Sequence, residues 1–284
     1  MSNSVLRVWS LSKKYGPIEA VRNATFSLLK SRITAFLGEN GAGKTTTLKM
    51  ILGFLGSDSG GVEIRTSRIG YVPERPAFFG WLKGTDIIAI TARGYGIQRQ
   101  DLSQRIGPLS ERIFFDPRLL QRKVQTYSLG NQKKFSYLQS LVVDPSLLVV
   151  DEPFSSLDPA SIKGMRGLFS ELREKGKTIL LSSHLISEVE KISDEFILIR
   201  QGRVLIQENL RRLTESCLLV RVEKGEIEAE KLRLFSLYLR EKEFFWEVLL
   251  EKTRLQELEN FLGRDVGIAI QAGLDLETIF FFFA

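Results

Sequence analysis

The sequence predicts an α/β fold built on a largely parallel sheet, followed by a smaller α+β unit. Three observations carry this. Short apolar runs alternate with amphipathic stretches over residues 1–215. A glycine-rich loop joins one of those runs to a helical stretch, and the pattern changes after Arg212. A length of 284 residues suits one large domain with an appendage, drawn here as 1–215 and 216–284.

In chain order, RITAFLG (32–38), TSRIGYVP (66–73), SLLVVDEP (146–153), KTILLSS (177–183) and EFILIRQGRVL (195–205) read as strands, being brief and rich in Val, Ile and Leu. Nearly continuous apolar runs imply burial on both faces, as helices covering a parallel sheet would give. The helices between them are KTTTLKMILGF, PASIKGMRGLFSELREKG and LISEVEKIS. From about Thr85 to Leu138 the chain is helix-like, rich in Arg and Gln, and without a buried strand. This reads as a helical insertion, with Thr85 or Asp86 capping its first helix. Beyond Arg212, LLVRVEKGEI and EFFWEVLLE look like half-exposed strands, and RDVGIAI like another. TRLQELENFLG sets Leu255, Leu258 and Leu262 at helical spacing, and LDLETIFFFFA closes the chain.

Composition removes several function classes. Hydrophobic residues at 43% and charged residues at 26% are those of a globular protein, not a disordered one. Cys217 is the one cysteine, so neither an internal disulfide nor a thiolate metal cluster is available. His184 is the one histidine, which excludes chemistry needing two imidazoles. The N-terminus lacks the apolar core of a signal peptide. The longest apolar runs, LLVV and IFFFFA, are far below the ~20 residues that cross a bilayer, so a soluble chain is expected. The net charge of +6 is unevenly spread: from Ser216 onward there are 9 Lys+Arg and 13 Asp+Glu, leaving 31 and 21 before it.

The loop GENGAGKTT runs from Gly38 to Thr46, directly after the strand ITAFL and before the helix TTLKMIL. Gly38, Gly43, Lys44 and Thr45 fit GxxxxGK[ST] in the strand–loop–helix context the motif requires. Glycines let backbone N–H groups point inward, and the following helix adds its positive end. Lys44 is a compact cation for phosphates, and the Thr45 hydroxyl is placed to ligate Mg²⁺. In LLVVDEP, a buried strand ends at Asp151 and Glu152. Asp151 suits the Mg²⁺ shell; Glu152 suits a base that orients water toward a γ-phosphate.

With these motifs in this order, residues 5–215 resemble the ATP-binding subunit of ABC transporters. The resemblance implies a P-loop NTPase core of the ABC ATPase type. It also implies that Tyr15 stacks on adenine and that residues 38–46 (Gly38, Glu39, Asn40, Gly41, Ala42, Gly43, Lys44, Thr45 and Thr46) hold ATP. YSLGNQKK (127–134) resembles the family's signature segment, so Ser128, Leu129, Gly130 and Asn131 are expected to close the ATP of a second subunit. SSLD (155–158) matches the loop after the acidic motif, through Ser156 and Asp158. His184 matches the switch histidine that senses the γ-phosphate and joins Glu152 and Lys44 as a catalytic residue. Thr45, Asp151 and Glu74 are the metal positions the resemblance implies.

Three departures stand out. Glu74 occupies the place of the family's loop glutamine, as in related exporter-type subunits. Leu129 and Asn131 replace the usual Gly and Gln. Phe78, Phe79 and Trp81 line the rim of the insertion, as core or as a groove for a membrane subunit. Glu74 and LDLETIF both resemble subunits paired with ABC-2-type export permeases.

The expected function is therefore an Mg²⁺-dependent ATPase driving a separate integral-membrane permease. It would be peripheral on the cytoplasmic face, in a head-to-tail homodimer or paired with a related subunit, and the resemblance points to export. The small second domain would be accessory or regulatory. An ABC ATPase acting on nucleic acid is the alternative, compatible with the basic first domain but without the long heptad insertion of chromosome-type ATPases. A scaffold without turnover fits less well, because every catalytic position is filled.

Overall fold

The structure, a computed structural model, describes residues 3–224, 228–262, 268–271 and 274–283. The chain forms two compact units, Met1–Gln207 and Glu208–Ala284. The charge pattern draws its boundary eight residues later. The intervening helix Leu210–Ser216 is capped by the Asn209 side chain, which accepts from Arg212 N at 3.0 Å, and it leads straight into the second unit's sheet.

The first unit begins with β1 (Ser4–Tyr15), β2 (Ile18–Leu29), β3 (Ile33–Leu37), α1 (Lys44–Ile51), β4 (Ser59–Ile64) and β5 (Ile69–Val72). The insertion carries α2 (Gly84–Gly94), α3 (Arg99–Arg112) and α4 (Leu129–Leu141). Then come β6 (Leu147–Asp151), α5 (Pro159–Glu174), β7 (Thr178–Ser183), α6 (Ile186–Glu190), β8 (Glu195–Arg200) and β9 (Arg203–Asn209). The main sheet has the order β5-β6-β7-β3-β8-β9, with β5 through β8 parallel. Every residue of β3, β6 and β7 is buried, as their uninterrupted apolar sequence requires.

A second sheet, β2-β1-β4, is antiparallel and was not legible as strands in the sequence. Its strands are half-exposed and irregular in register, and Ser10 and Asn23 sit at positive φ, so no clean two-residue alternation survives. Its apolar face joins β3, β6 and α1 in one core around Leu6, Leu28, Phe36 and Leu48.

The expected single strand 195–205 is two strands, β8 and β9. Gln201 and Gly202 lie at φ 48° and 80°, the left-handed pair that makes a tight two-residue turn. In the insertion, Lys83 and not Thr85 or Asp86 stands at the N-cap of α2, two residues before the nearer of the expected caps. Asp86 acts from the third helical position, where its carboxylate accepts Lys83 N at 3.3 Å.

The second unit comprises α7 (Leu210–Ser216), β10 (Cys217–Glu223), α8 (Ala229–Arg233), β11 (Tyr238–Glu241), β12 (Phe245–Glu251), α9 (Leu255–Leu262), β13 (Ile268–Gln271) and α10 (Leu276–Phe283). Its sheet has the order β11-β12-β10-β13. Val220, Val222, Val248, Leu250 and Leu258 form its core. Of RDVGIAI, residues 264–267 lie outside the described residues. In α10, Leu276, Ile279 and Phe282 are buried while Phe281 is exposed, so the phenylalanine run splits by helical phase. Among the described residues no helix is long and apolar enough to cross a membrane.

Candidate functional site

The sheet order sets the site. β7 lies between β3 and β6, so the carboxyl ends of all three strands meet at one edge. The loop after β3 turns into α1 through Gly43, at φ 105°. A side chain there would bring its Cβ within 2.4 Å of Ala20 O, and one at Gly38 would meet Ile199 O at 2.4 Å. Both glycines are thus required by close backbone approach and, at Gly43, also by a left-handed conformation.

Lys44 is buried. Its Nζ donates to Gly38 O at 2.6 Å and Glu39 O at 3.1 Å, and lies 4.0 Å from Glu152 Oε1. Burial pulls its pKa down, opposed by the carboxylates of Glu152, Asp151 and Glu74. Thr45 Oγ1 donates to Asp151 Oδ2 at 2.8 Å. Ser182 Oγ, from the end of β7, donates to the other Asp151 oxygen, so both oxygens are engaged.

Asp151 and Glu152 are adjacent yet face one region because Glu152 takes a left-handed φ of 49°. Its backbone N donates to Ser182 O at 3.0 Å. Its Oε2 lies 2.8 Å from His184 Nδ1. His184 is 49% exposed in its side chain while Glu152 is 8% exposed, so the imidazole forms the open lip over a buried carboxylate.

A cavity of about 220 Å³ opens here, walled by Asn40, Gly41, Lys44, Thr45, Glu74 and Glu152, among others. Glu74 reaches this wall from the loop after β5. Tyr15, half-exposed at the end of β1, and Ser128–Asn131 are not among its walls. Ser128 caps α4, accepting Asn131 N at 3.3 Å, and Leu129 is 74% exposed. A Cβ at Gly130 would lie 3.1 Å from Ser156 O, which puts this segment against the loop Ser155–Asp158 of its own chain. Asp158 caps α5, accepting Ser161 N at 2.9 Å and Ser161 Oγ at 2.6 Å.

Of the three rim aromatics, Phe78 is half-buried, with its ring 5.0 Å from that of Phe135. It lines a separate groove of about 660 Å³ with Tyr71, Pro76 and Tyr95. Phe79 and Trp81 pack on each other outside that groove, each 65% exposed.

Two residues at the site were missed by sequence reading. Ser182 was foreshadowed by a polar residue ending the apolar run TILLSS. Lys133 is fully buried behind Asp151, and nothing in the sequence distinguishes it from its half-buried neighbour Lys134.

The sequence pattern of the family described as ABC transporter matches residues 21–155, which span the phosphate loop, Glu74, Ser128–Asn131, Asp151 and Glu152. An uncharacterised ABC transporter ATP-binding protein of Methanocaldococcus jannaschii is 30% identical over 200 residues, covering 70% of this chain and 76% of that protein. The bacitracin transport ATP-binding protein BcrA of Bacillus licheniformis is 33% identical, covering 72% of this chain and 69% of its own length. The chain belongs to the ABC transporter family. A solved ATP-binding subunit of an ABC transporter superposes with a TM-score of 0.67 at 28% identity, over 75% of this chain and 92% of that one. The fold is accordingly that of an ABC ATPase, a P-loop NTPase whose ATP hydrolysis is coupled to transport. For this ABC ATPase, the cavity at Lys44 is where the fold's phosphate loop, acidic strand end and histidine converge.

Proposed function

We propose that this ABC ATPase powers export through a separate membrane permease, hydrolysing ATP at the Lys44–Glu152 cavity. The observation that carries the proposal is Glu152, a buried carboxylate between Lys44 and His184 at the wall of a cavity of about 220 Å³. In this reading the amides of residues 38–46 and Lys44 neutralise the phosphates, and catalysis is mostly positioning and charge compensation. Glu152 orients and deprotonates the attacking water; His184 holds Glu152 and reports on the γ-phosphate. Tyr15 stacks on adenine.

Thr45 and Asp151 would hold Mg²⁺, with Glu74 close by. The hydroxyl and carboxylate already share one short contact, and hard oxygen donors with phosphates completing the shell suit this cation. Bound there, Mg²⁺ would supply charge neutralisation at the β- and γ-phosphates. Among the described residues no three carboxylate, imidazole or thiolate groups cluster for a metal, consistent with a cation that arrives with its nucleotide.

Ser128–Asn131 stand away from their own chain's cavity, with Leu129 in solvent. A head-to-tail pair, of two copies or with a related subunit, would set this segment, with Ser156 and Asp158 beside it, over the partner's ATP. The groove lined by Phe78 is the docking place for a permease helix, which makes the chain peripheral on the cytoplasmic face of a membrane. Export rather than import rests on Glu74 and the closing segment LDLETIF. The second unit, residues 216–284 in the charge division, would be accessory to this cycle. Nucleic-acid binding, the alternative suggested by the basic first domain, has no counterpart in the relatives named above.

Phosphate release from ATP by the purified chain, with and without Mg²⁺, tests the enzymatic reading. Co-purification with an integral-membrane protein tests the transport reading. Salt-sensitive DNA binding without any membrane partner would overturn the latter.

A further inference from the structure

Ser182 ends the apolar strand β7 with a hydroxyl that no solvent reaches, and the reading above gives it no part in the reaction. The parallel register of β6 and β7 pairs it with Asp151, so the two side chains leave the same face of adjacent strands. Its hydroxyl donates to Asp151 Oδ1. The same Oγ accepts the Glu152 backbone N at 3.3 Å, and the Ser182 carbonyl accepts that N at 3.0 Å. One serine therefore grips both acidic residues, Asp151 by its side chain and Glu152 by its main chain. The neighbouring Ser183 is engaged elsewhere: its Oγ accepts Leu185 N at 2.9 Å, in the turn that carries His184.

A hydroxyl has one proton and two lone pairs, and with the proton on Asp151 and a lone pair toward Glu152 its rotation is fixed. Glu152 holds its φ of 49° at this point, a backbone state that a residue with a side chain keeps only where its surroundings impose it. On the far side of the Asp151 carboxylate, Oδ2 faces Thr45 Oγ1 at 2.8 Å. Those are the oxygens proposed above for Mg²⁺, and Ser182 takes the opposite one. Carboxylates that ligate a metal are themselves hydrogen-bonded, and losing the outer partner commonly costs about 10–100-fold in metal affinity or activity. Among the described residues the Ser182 hydroxyl makes no bond to residues 38–46, so its removal leaves the phosphate loop's own contacts in place.

We infer that Ser182 is a positioning residue for hydrolysis, holding the carboxylate of Asp151 and the backbone of Glu152 in one register. It thereby ties the proposed Mg²⁺ ligand to the proposed base through a single hydroxyl. The inference rests on the proposed reading of the cavity as the Mg²⁺-ATP site.

The test compares the full wild-type chain with Ser182→Ala and with Ser182→Thr, which keeps the hydroxyl. Binding of a fluorescent ATP analogue is read without Mg²⁺ and over a range of Mg²⁺ concentrations, beside kcat, KM and melting. In Ser182→Ala the half-saturating Mg²⁺ is expected to rise about tenfold and kcat to fall about tenfold or more. Affinity for the analogue without Mg²⁺ is expected to stay at the wild-type value. Ser182→Thr is expected to restore both the Mg²⁺ requirement and kcat. Lowered melting of Ser182→Ala with an unmoved Mg²⁺ requirement would show a structural role only and overturn the inference. A threonine variant that melts like wild type yet keeps the alanine variant's defects would overturn it too. Should Ser182→Ala fail to fold, Ser182→Cys, with a weaker donor, takes its place, and a wild-type Mg²⁺ requirement there overturns the inference. Glu152→Gln, run alongside, separates the two levels. Lost turnover there with an unaltered Ser182→Ala overturns only the Ser182 role. Wild-type turnover there overturns the reading of the site, and the Ser182 role with it.

Discussion

Thr45 Oγ1 donates to Asp151 Oδ2 at 2.8 Å, joining the first turn of α1 to the end of β6 across 106 residues of sequence. Ser182 holds the opposite oxygen of the same carboxylate from β7, the strand between them. Ser182→Ala would leave one oxygen of a buried carboxylate without its donor. The expected loss is about 1–3 kcal/mol of stability, read as a lowered urea midpoint with unchanged slope. An unchanged midpoint would mean that water replaces the hydroxyl without cost.

Glu152→Gln keeps the side chain's size and removes the carboxylate proposed as the base. Turnover is expected to fall about 10²–10⁴-fold while ATP binding persists, leaving an ATP-bound dimer that gel filtration detects. Phosphate release at the wild-type rate would place the base elsewhere.

Lys44→Ala removes the buried ammonium that Gly38 and Glu39 carbonyls now hold. Affinity for a fluorescent ATP analogue is expected to drop by a factor of about ten or more, roughly 1.4 kcal/mol or above. Unaltered affinity would remove Lys44 from the phosphate site.

Asp158 caps α5, and its bonds from the Ser161 hydroxyl and N–H lower its pKa from 3.8 to about 2. A carboxyl group lowered on folding contributes stability above its unfolded value and loses it as pH falls through the folded one. Asp158→Ala should therefore melt below wild type at neutral pH, and the gap should narrow between pH 3.8 and about 2. A gap that stays constant across that window would argue against the charged cap.

Phe282→Ala should destabilise the second unit by about 3–5 kcal/mol, because its ring is buried, while Phe281→Ala should have little effect. Chemical denaturation followed by Trp246 fluorescence, in a chain with Trp9 and Trp81 replaced by Phe, reads that unit. Equal effects of the two substitutions would contradict the helical phase of α10.

Much of the site was legible because its chemistry is local in sequence. The loop from Gly38 to Thr46 needs its glycines at fixed spacing, since backbone from Ile199 and Ala20 approaches Gly38 and Gly43 too closely for a side chain. The apolar runs ending at Asp151 and preceding His184 were equally plain, since strands buried on both faces cannot hide their composition. What the sequence concealed is half-exposed or paired at long range. The sheet β2-β1-β4 alternates imperfectly, and the turn at Gln201 and Gly202 interrupts what reads as one strand. The groove beside Phe78 became separable from the exposed pair Phe79 and Trp81 only through their neighbours.

The sequence by itself determined the phosphate loop, the acidic strand end and the order of motifs, because each is specified by residues close along the chain. Tertiary structure decided which of them meet. The strand order put Thr45 and Ser182 on opposite oxygens of Asp151, and the left-handed turn at Glu152 swung its carboxylate to Lys44 and His184. It also separated Lys133 from Lys134, burying one against three carbonyls and leaving the other near Asp158. The physical reason is that burial and partnership belong to a side chain's surroundings in space, which two adjacent lysines on one helix need not share.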